Sequence, residues 1–167
     1  MILTERELEF DFPDGRQVQR LDQQGKRLPI GMRLVDFVIE EDTRVLLLEI
    51  TDPSHPNVPA QERTKFIRSL HGDNLINEEL VPKARDSYTY LHLMERDDKP
   101  FVFVALMGLE AVPVDPILLP NFNDRLLARL RQETDEPWRR EYVTDCVVVT
   151  IETWNSGFPQ YPLRRIK

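Results

Sequence analysis

Two apolar stretches joined by a short polar segment, residues 33–40 and 44–51, place the strongest constraint on how this chain can fold. Both stretches are rich in Val, Ile, Leu and Phe, which favour β-strands. A two-residue turn at Asp42-Thr43 makes them a hairpin in which the numbers of facing residues add up to 85, as 42 and 43 do. This register sets Asp36 opposite Glu49, and because side chains alternate along a strand, both point to one face.

The two carboxylates in these positions repel each other. Facing Cβ atoms of such a pair are ~5 Å apart, and the neighbouring Val38 and Leu47 lower the local dielectric and sharpen the repulsion. A shared proton, a cationic side chain or a divalent ion relieves it, and carboxylate oxygens suit Mg²⁺ or Mn²⁺. The alternative is a solvated pair at the open end of the hairpin. The inference depends on the turn, because a shift of one residue breaks the geometry.

The rest of the chain predicts a mixed α and β domain. Alternation and turn residues predict a first hairpin with strands at 7–12 and 16–22, followed by a polar loop at 23–26. Helical spacing predicts helices at 59–70, 75–95 and 123–133, and apolar runs predict strands at 101–109 and 143–154 before a basic tail. We therefore expect one domain over residues 1–167 of the α/β (α+β) class, with a mixed central β-sheet that contains the β-hairpins and is flanked by helices.

Charge and cysteine content narrow the classes of function. The formal net charge is −7, whereas a domain that grips DNA by its phosphates usually carries a positive surplus. Such a chain must gather its arginines on one face or hold divalent cations on its carboxylates. A single cysteine, Cys146, excludes an internal disulfide. With no apolar run of ~20 residues and no signal-peptide pattern, we expect a cytoplasmic protein without a membrane partner.

The second hairpin resembles the core of the PD-(D/E)XK, or restriction endonuclease-like, nuclease superfamily. The likeness is carried by the strand Val35-Asp36-Phe37-Val38-Ile39, a tight turn, and the strand Leu46-Leu47-Leu48-Glu49-Ile50-Thr51. The helix and the buried strand that follow fit that superfamily's strand-strand-strand-helix-strand core. The resemblance covers about residues 30–110, and 111–167 form a C-terminal extension of a helix and a strand.

The resemblance implies a metal-dependent nuclease that hydrolyses DNA. Asp36 and Glu49 would hold Mg²⁺ or Mn²⁺, and the metal with a lysine would activate water against the phosphodiester. Thr51 stands where the motif has its lysine. Some members carry the lysine on a neighbouring element, and Lys83 on the long helix is the candidate here. Many nuclease domains dimerise to cut both strands, so a homodimer is possible.

Two other interpretations stay open. The first is a catalytically inactive member of the same fold that binds protein or nucleic acid, which Thr51 and the net charge of −7 favour. The second is an interaction domain of another α+β fold, which would follow if Asp36 and Glu49 were far apart or on opposite faces.

Several further groups of residues could belong to a site, but each also has a simpler structural role. Asp52 and His55 follow the Glu49 strand and could add ligands to the same metal, although a turn at Pro53 is the simpler role. The aromatic residues of 154–161 are expected to fold back as a lid on the sheet. The clustered cations could contact phosphates, but their acidic neighbours make surface ion pairs the expected role of most of them; these cations are Arg125, Arg129, Arg131, Arg139, Arg140, Arg164, Arg165 and Lys167.

Overall fold

The computed structural model describes residues 1–22 and 28–167, so the loop expected at 23–26 lies outside the described residues. The fold is mixed α and β, as predicted. Its strands are β1 (Ile2–Glu5), β2 (Leu8–Asp11), β3 (Gln17–Arg20), β4 (Phe37–Glu40), β5 (Val45–Thr51), β6 (Phe101–Met107), β7 (Asp145–Val149) and β8 (Leu163–Arg165). Its helices are α1 (Ala60–His71), α2 (Val81–Leu93), α3 (Leu118–Arg131) and α4 (Ile151–Gly157), and a π-helical turn (Ile76–Leu80) precedes α2.

A five-stranded sheet in the order β3-β4-β5-β6-β7 forms the centre of the molecule. The strands β3, β4 and β5 are antiparallel neighbours, whereas β5, β6 and β7 run parallel. Every residue of β6 is buried, which is what the apolar run at 101–109 predicts for a strand covered on both faces. Parallel neighbours need a crossover, and the helical segment between β5 and β6 provides one.

The hairpin of β4 and β5 has the predicted register. The Glu41 N–H donates to the Arg44 carbonyl at 2.9 Å, which closes the two-residue turn at Asp42-Thr43. Phe37 lies opposite Leu48 and Val38 opposite Leu47, so facing numbers add up to 85. The turn prediction is therefore confirmed.

The predicted first hairpin is wrong. Strand β2 pairs with β1 and β8 in a separate three-stranded sheet, whereas β3 pairs with β4 in the central sheet. The fold consequently has two sheets instead of the single sheet that we expected. An alternating pattern tells which face of a strand is buried, but it does not tell which strand lies beside it. Phe10 and Phe12 are both fully buried. Phe10 packs against Phe37 and Trp154, and Phe12 packs against Tyr161.

The predicted strand at 143–154 is wrong in its second half. Strand β7 ends at Val149, and α4 begins directly after Thr150. The Thr150 hydroxyl accepts the Thr153 N–H, and the Thr153 hydroxyl accepts the Thr150 N–H, so a capping box starts the helix inside a β-branched run. The basic tail is also ordered, because β8 pairs with β2.

The remaining predicted helices are present with shifted ends. The helix expected at 59–70 is α1, and the helix expected at 123–133 begins earlier, at Leu118. The helix expected at 75–95 consists of the π-helical turn and α2, and it ends at Leu93. No helix in the described ranges has the length and apolar character needed to cross a bilayer.

The central sheet separates two apolar cores. On one face, Leu47, Ala105 and their neighbours pack against the helical segments, with Leu80, Ala84 and Leu126 among the buried residues. On the other face, the three-stranded sheet and α4 cover the alternate residues of the same strands. The predicted lid is confirmed there, since Trp154, Phe158 and Tyr161 are buried and the Trp154 Nε1–H donates to the Tyr161 carbonyl at 2.7 Å.

Candidate active site

Asp36 and Glu49 lie on the helix-covered face, at the end of the hairpin away from its turn. Asp36 immediately precedes β4, and Glu49 is the fifth residue of β5. The Ile50 N–H donates to the Asp36 Oδ2 at 2.8 Å, so the carboxylate of one strand is bonded to the backbone of the next. Glu49 is only 5% exposed. Glu49 is therefore part of the packed interior at the sheet end, and Asp36 beside it is partly buried.

Lys83 completes the group from the first turn of α2. Its Nζ lies 2.5 Å from the Glu49 Oε1, and its side chain is 17% exposed. The residue at the motif lysine position, Thr51, ends β5 and lines the cleft beside the pair. The structure thus brings together the three residues that the sequence singled out, Asp36, Glu49 and Lys83.

Burial controls the ionisation of this group. Burial raises the pKa of Glu49 to about 8, with a further contribution from the charge of Asp36 and opposition from Lys83. Burial also raises the pKa of Asp36 to about 6, although the Ile50 N–H acts against it. Burial alone would lower the pKa of Lys83, but the charge and hydrogen bond of Glu49 outweigh it and raise that pKa. The two carboxyl groups therefore titrate on either side of neutral pH, whereas Lys83 keeps its proton there.

One oxygen of the pair has no partner among the described residues. The Glu49 Oε2 is buried and accepts no hydrogen bond from the described residues, which is costly for a carboxylate. An oxygen-ligand cation such as Mg²⁺ or Mn²⁺ fits this donor set. Within residues 1–22 and 28–167, no group of three or more His, Cys, Asp and Glu has the arrangement of a metal site. A cation here would thus have two protein carboxylates, with water or phosphate oxygens as its other ligands.

The segment that carries Asp36 is fastened to α2. The Val35 N–H donates to the buried Ser87 hydroxyl at 2.9 Å, and the Arg33 N–H donates to the Asp86 Oδ2 at 3.0 Å. These bonds to side chains replace strand pairing, which is why β4 begins at Phe37 and not at Arg33 as predicted. The same helix carries Lys83, so α2 positions two of the three groups.

Pro82 adds a further link between the helix and this segment. A proline has no N–H, so it cannot donate to the Glu78 carbonyl four residues earlier. The helix widens there into the π-helical turn, in which the Val81 N–H donates to the Ile76 carbonyl. The Arg33 guanidinium donates to the freed Glu78 carbonyl and also pairs with the Glu79 carboxylate at 2.7 Å.

The group opens into a cleft of about 1440 Å³. The cleft lies at the end of β5, between the β1–β2 hairpin and α1. Nine carboxylate side chains line it: Glu5, Glu7, Asp22, Asp36, Glu49, Asp52, Glu62, Glu78 and Glu79. Four Lys or Arg side chains line it as well: Arg6, Lys65, Arg68 and Lys83. This excess of carboxylates favours a cationic ligand on the floor of the cleft.

Asp52 is not available as a third ligand. Both of its oxygens accept from the Arg165 guanidinium, at 3.0 and 2.7 Å, and the side chain is 2% exposed. Gly108 makes room for this pair, because a Cβ at that position would overlap the Asp52 carboxylate. His55 lines the cleft, but its Nδ1 accepts the Asn57 N–H. The turn expected at Pro53 is confirmed by the hydrogen bond from the His55 N–H to the Asp52 carbonyl at 3.3 Å.

Four of the eight clustered cations form ion pairs with described residues, whereas we expected most of them to do so. Arg125 pairs with Asp73, Arg131 with Glu141, Arg164 with Glu9, and Arg165 with Asp52. The sequence interpretation did not single out the cleft cations Arg6, Lys65 and Arg68, nor Asp22, whose charge helps to raise the pKa of both Asp36 and Glu49. These residues are scattered along the chain, and only the fold places them on one cleft.

Comparison with known proteins adds no family assignment. No protein-family model, no curated protein and no solved structure matches the chain. The geometry of Asp36, Glu49 and Lys83 therefore carries the functional argument by itself.

Proposed function

We propose that this protein is a metal-dependent nuclease of restriction endonuclease-like fold that hydrolyses phosphodiester bonds of DNA. The observation that carries the proposal is the contact of Lys83 with the buried Glu49, next to the partly buried Asp36, at the end of a β-hairpin. Three antiparallel strands, a helical segment and a strand parallel to the third also follow the order of that superfamily's core.

Each side chain has a role that its contacts support. Asp36 and Glu49 would hold Mg²⁺ or Mn²⁺, with the Glu49 Oε2, which has no partner in residues 1–22 and 28–167, as one ligand atom. Such an ion supplies positive charge beside the phosphate and makes water a better nucleophile. Lys83 orients Glu49 through its Oε1, and its ammonium would offset the negative charge that develops on the phosphate.

The test is a pair of measurements on the full chain with matched variants. Glu133 is a suitable control for Glu49, because its Oε1 also pairs with a cation, its Oε2 is also buried without a described partner, and it does not line the cleft. We expect wild type and Glu133→Gln to cut labelled DNA in Mg²⁺ or Mn²⁺, and Glu49→Gln to lose cutting. We also expect Mn²⁺ to raise the melting temperature of the first two proteins only.

Loss of cutting in both variants, or cutting that persists in Glu49→Gln, would overturn the assignment of the site. No cutting by any variant, together with no effect of Mn²⁺ on melting, would overturn the enzyme itself. Homodimerisation stays a prediction.

The second candidate is an inactive member of the same fold that binds nucleic acid or protein. The observation that favours it is that Lys83 already contacts Glu49 without a metal, while Thr51 supplies no second cation. This candidate predicts binding without metal-dependent cutting.

A further inference from the structure

Six exposed cations differ from the others in the described part of the chain. Most described Lys and Arg side chains have a carboxylate or carbonyl partner, as Arg63 has in the Pro53 carbonyl at 2.9 Å. The six cations that have no ion pair or hydrogen bond to described residues are Arg6, Lys65, Arg68, Arg139, Arg140 and Lys167, and all six are exposed. The charge of such a surface cation is not offset by a neighbouring carboxylate, so it can attract an anionic ligand.

Three of these six line the cleft that contains the carboxylate pair. Arg6 comes from the tip of the β1–β2 hairpin, where Glu5 faces Leu8 across a two-residue turn. Lys65 and Arg68 come from α1 and, three residues apart, share one face of that helix. The cations therefore approach the cleft from two separate elements.

Arg6 has an unusual backbone. Its φ is +50°, in the left-handed region, which is strained for a residue with a Cβ. Glycine, asparagine or aspartate is the ordinary choice at such a hairpin tip. A long cationic side chain kept in this conformation at the rim of a cleft points to a role in binding.

The carboxylates in the cleft restrict which anion can enter. Several are already paired, as Glu5 is with Arg20 and Glu79 with Arg33, but Asp22 and Glu62 have no ion pair to a described residue. Duplex DNA carries one charge per ~1.7 Å of its axis, twice the density of one strand. A single strand meets less repulsion from this floor. Its bases can also stack on Phe66, which lines the cleft beside Lys65.

We propose that the cleft binds one single-stranded segment of nucleic acid, with its phosphates on Arg6, Lys65 and Arg68. This inference rests on the proposed function, since the bound strand passes over Asp36 and Glu49. It goes further because it names the form of the substrate and the residues that hold it.

The experiment compares two triple variants that lose the same charge. The cleft triple carries Arg6→Gln, Lys65→Gln and Arg68→Gln. The surface triple carries Arg139→Gln, Arg140→Gln and Lys167→Gln; these three side chains are also exposed and have no partner among the described residues, but they do not line the cleft. Binding of a fluorescein-labelled oligothymidylate to the full chain is followed by anisotropy at increasing salt, once in EDTA and once in Ca²⁺.

We expect the cleft triple to bind at least about tenfold more weakly at low salt and the surface triple to bind like wild type. Because each phosphate contact contributes about 0.7 to the slope of log K against log salt for a single strand, we expect the cleft triple to lose about 2 from that slope. A duplex of the same length is expected to bind wild type more weakly than the single strand.

Equal losses in both triples, no binding by wild type in either condition, or tighter binding of the duplex would overturn the inference. Its failure is distinct from that of the proposed function, because binding is measured without cleavage. A protein that binds through the cleft cations but never cuts would refute the enzyme and retain the strand-binding site.

Discussion

The buried Glu49 makes a quantitative prediction about how stability depends on pH. Its pKa rises from 4.5 to about 8 in the fold, a difference of about 3.5 pH units, and each unit corresponds to ~1.4 kcal/mol. Between these two values the folded protein keeps a proton that the unfolded chain releases, so the free energy of unfolding falls as pH rises. The expected loss is about 3–5 kcal/mol between pH 4.5 and 8. Asp36 acts in the same direction below about pH 6.

The variant Glu49→Gln isolates this effect. Glutamine keeps an oxygen that accepts from Lys83, but it has no proton to lose, so its stability lacks this dependence. Urea unfolding at pH 5, 7 and 8.5 in EDTA measures the free energy for both proteins, and their difference at each pH cancels the contribution of groups that both share, including the histidines. We expect the free energy of unfolding of the variant, relative to that of wild type, to rise by about 3–5 kcal/mol from pH 5 to pH 8.5.

A difference between the two proteins that stays constant over this range would refute the reasoning, because Glu49 would then be ionised in the fold throughout. If the wild type instead gained stability relative to the variant as pH rises, the predicted effect of Glu49 on the free energy of unfolding would have the wrong sign.

Three further predictions concern positions around the site. Ser87→Ala leaves the buried Val35 N–H without its partner, so we expect a loss of about 1–3 kcal/mol in urea unfolding; an unchanged midpoint would contradict that bond. Gly108→Ala forces a Cβ against the Asp52 carboxylate, so we expect destabilisation of roughly 1–3 kcal/mol, and a variant as stable as wild type would show that Asp52 moves freely. Arg6→Gly removes a left-handed arginine, so we expect up to ~1 kcal/mol of added stability with weaker strand binding, and stability that falls would argue against the strain.

The central hairpin was predictable because local chemistry fixes it. A two-residue turn sets the register of both strands, and the side-chain period of two then places Asp36 and Glu49 on one face. Lys83 was identified because the helix that carries it follows the hairpin in the chain, although its contact with Glu49 depends on how α2 packs on the sheet.

The errors arise where partners are distant in the chain. The alternation at 7–12 indicates a half-buried strand, but its partners are β1, just before it, and β8, more than a hundred residues later, instead of β3. Helix α4 was missed because Val147 to Ile151 reads as one β-branched run, and the cap at Thr150 depends on hydroxyl positions. The cleft cations were missed because only the folded structure shows whether a cationic side chain has a partner. The sequence shows only where arginines follow one another in the chain.

Pro82 affects both the stability of its helix and the position of the Asp36 carboxylate. An alanine there would favour the helix by up to ~3 kcal/mol and would offer Glu78 a helical N–H in place of the Arg33 side chain. Segment 33–36 would then lose one of its attachments to the helix. A more stable helix and a well-placed Asp36 therefore make opposite demands on residue 82, which is a trade-off between the stability of the helix and the geometry of the candidate site.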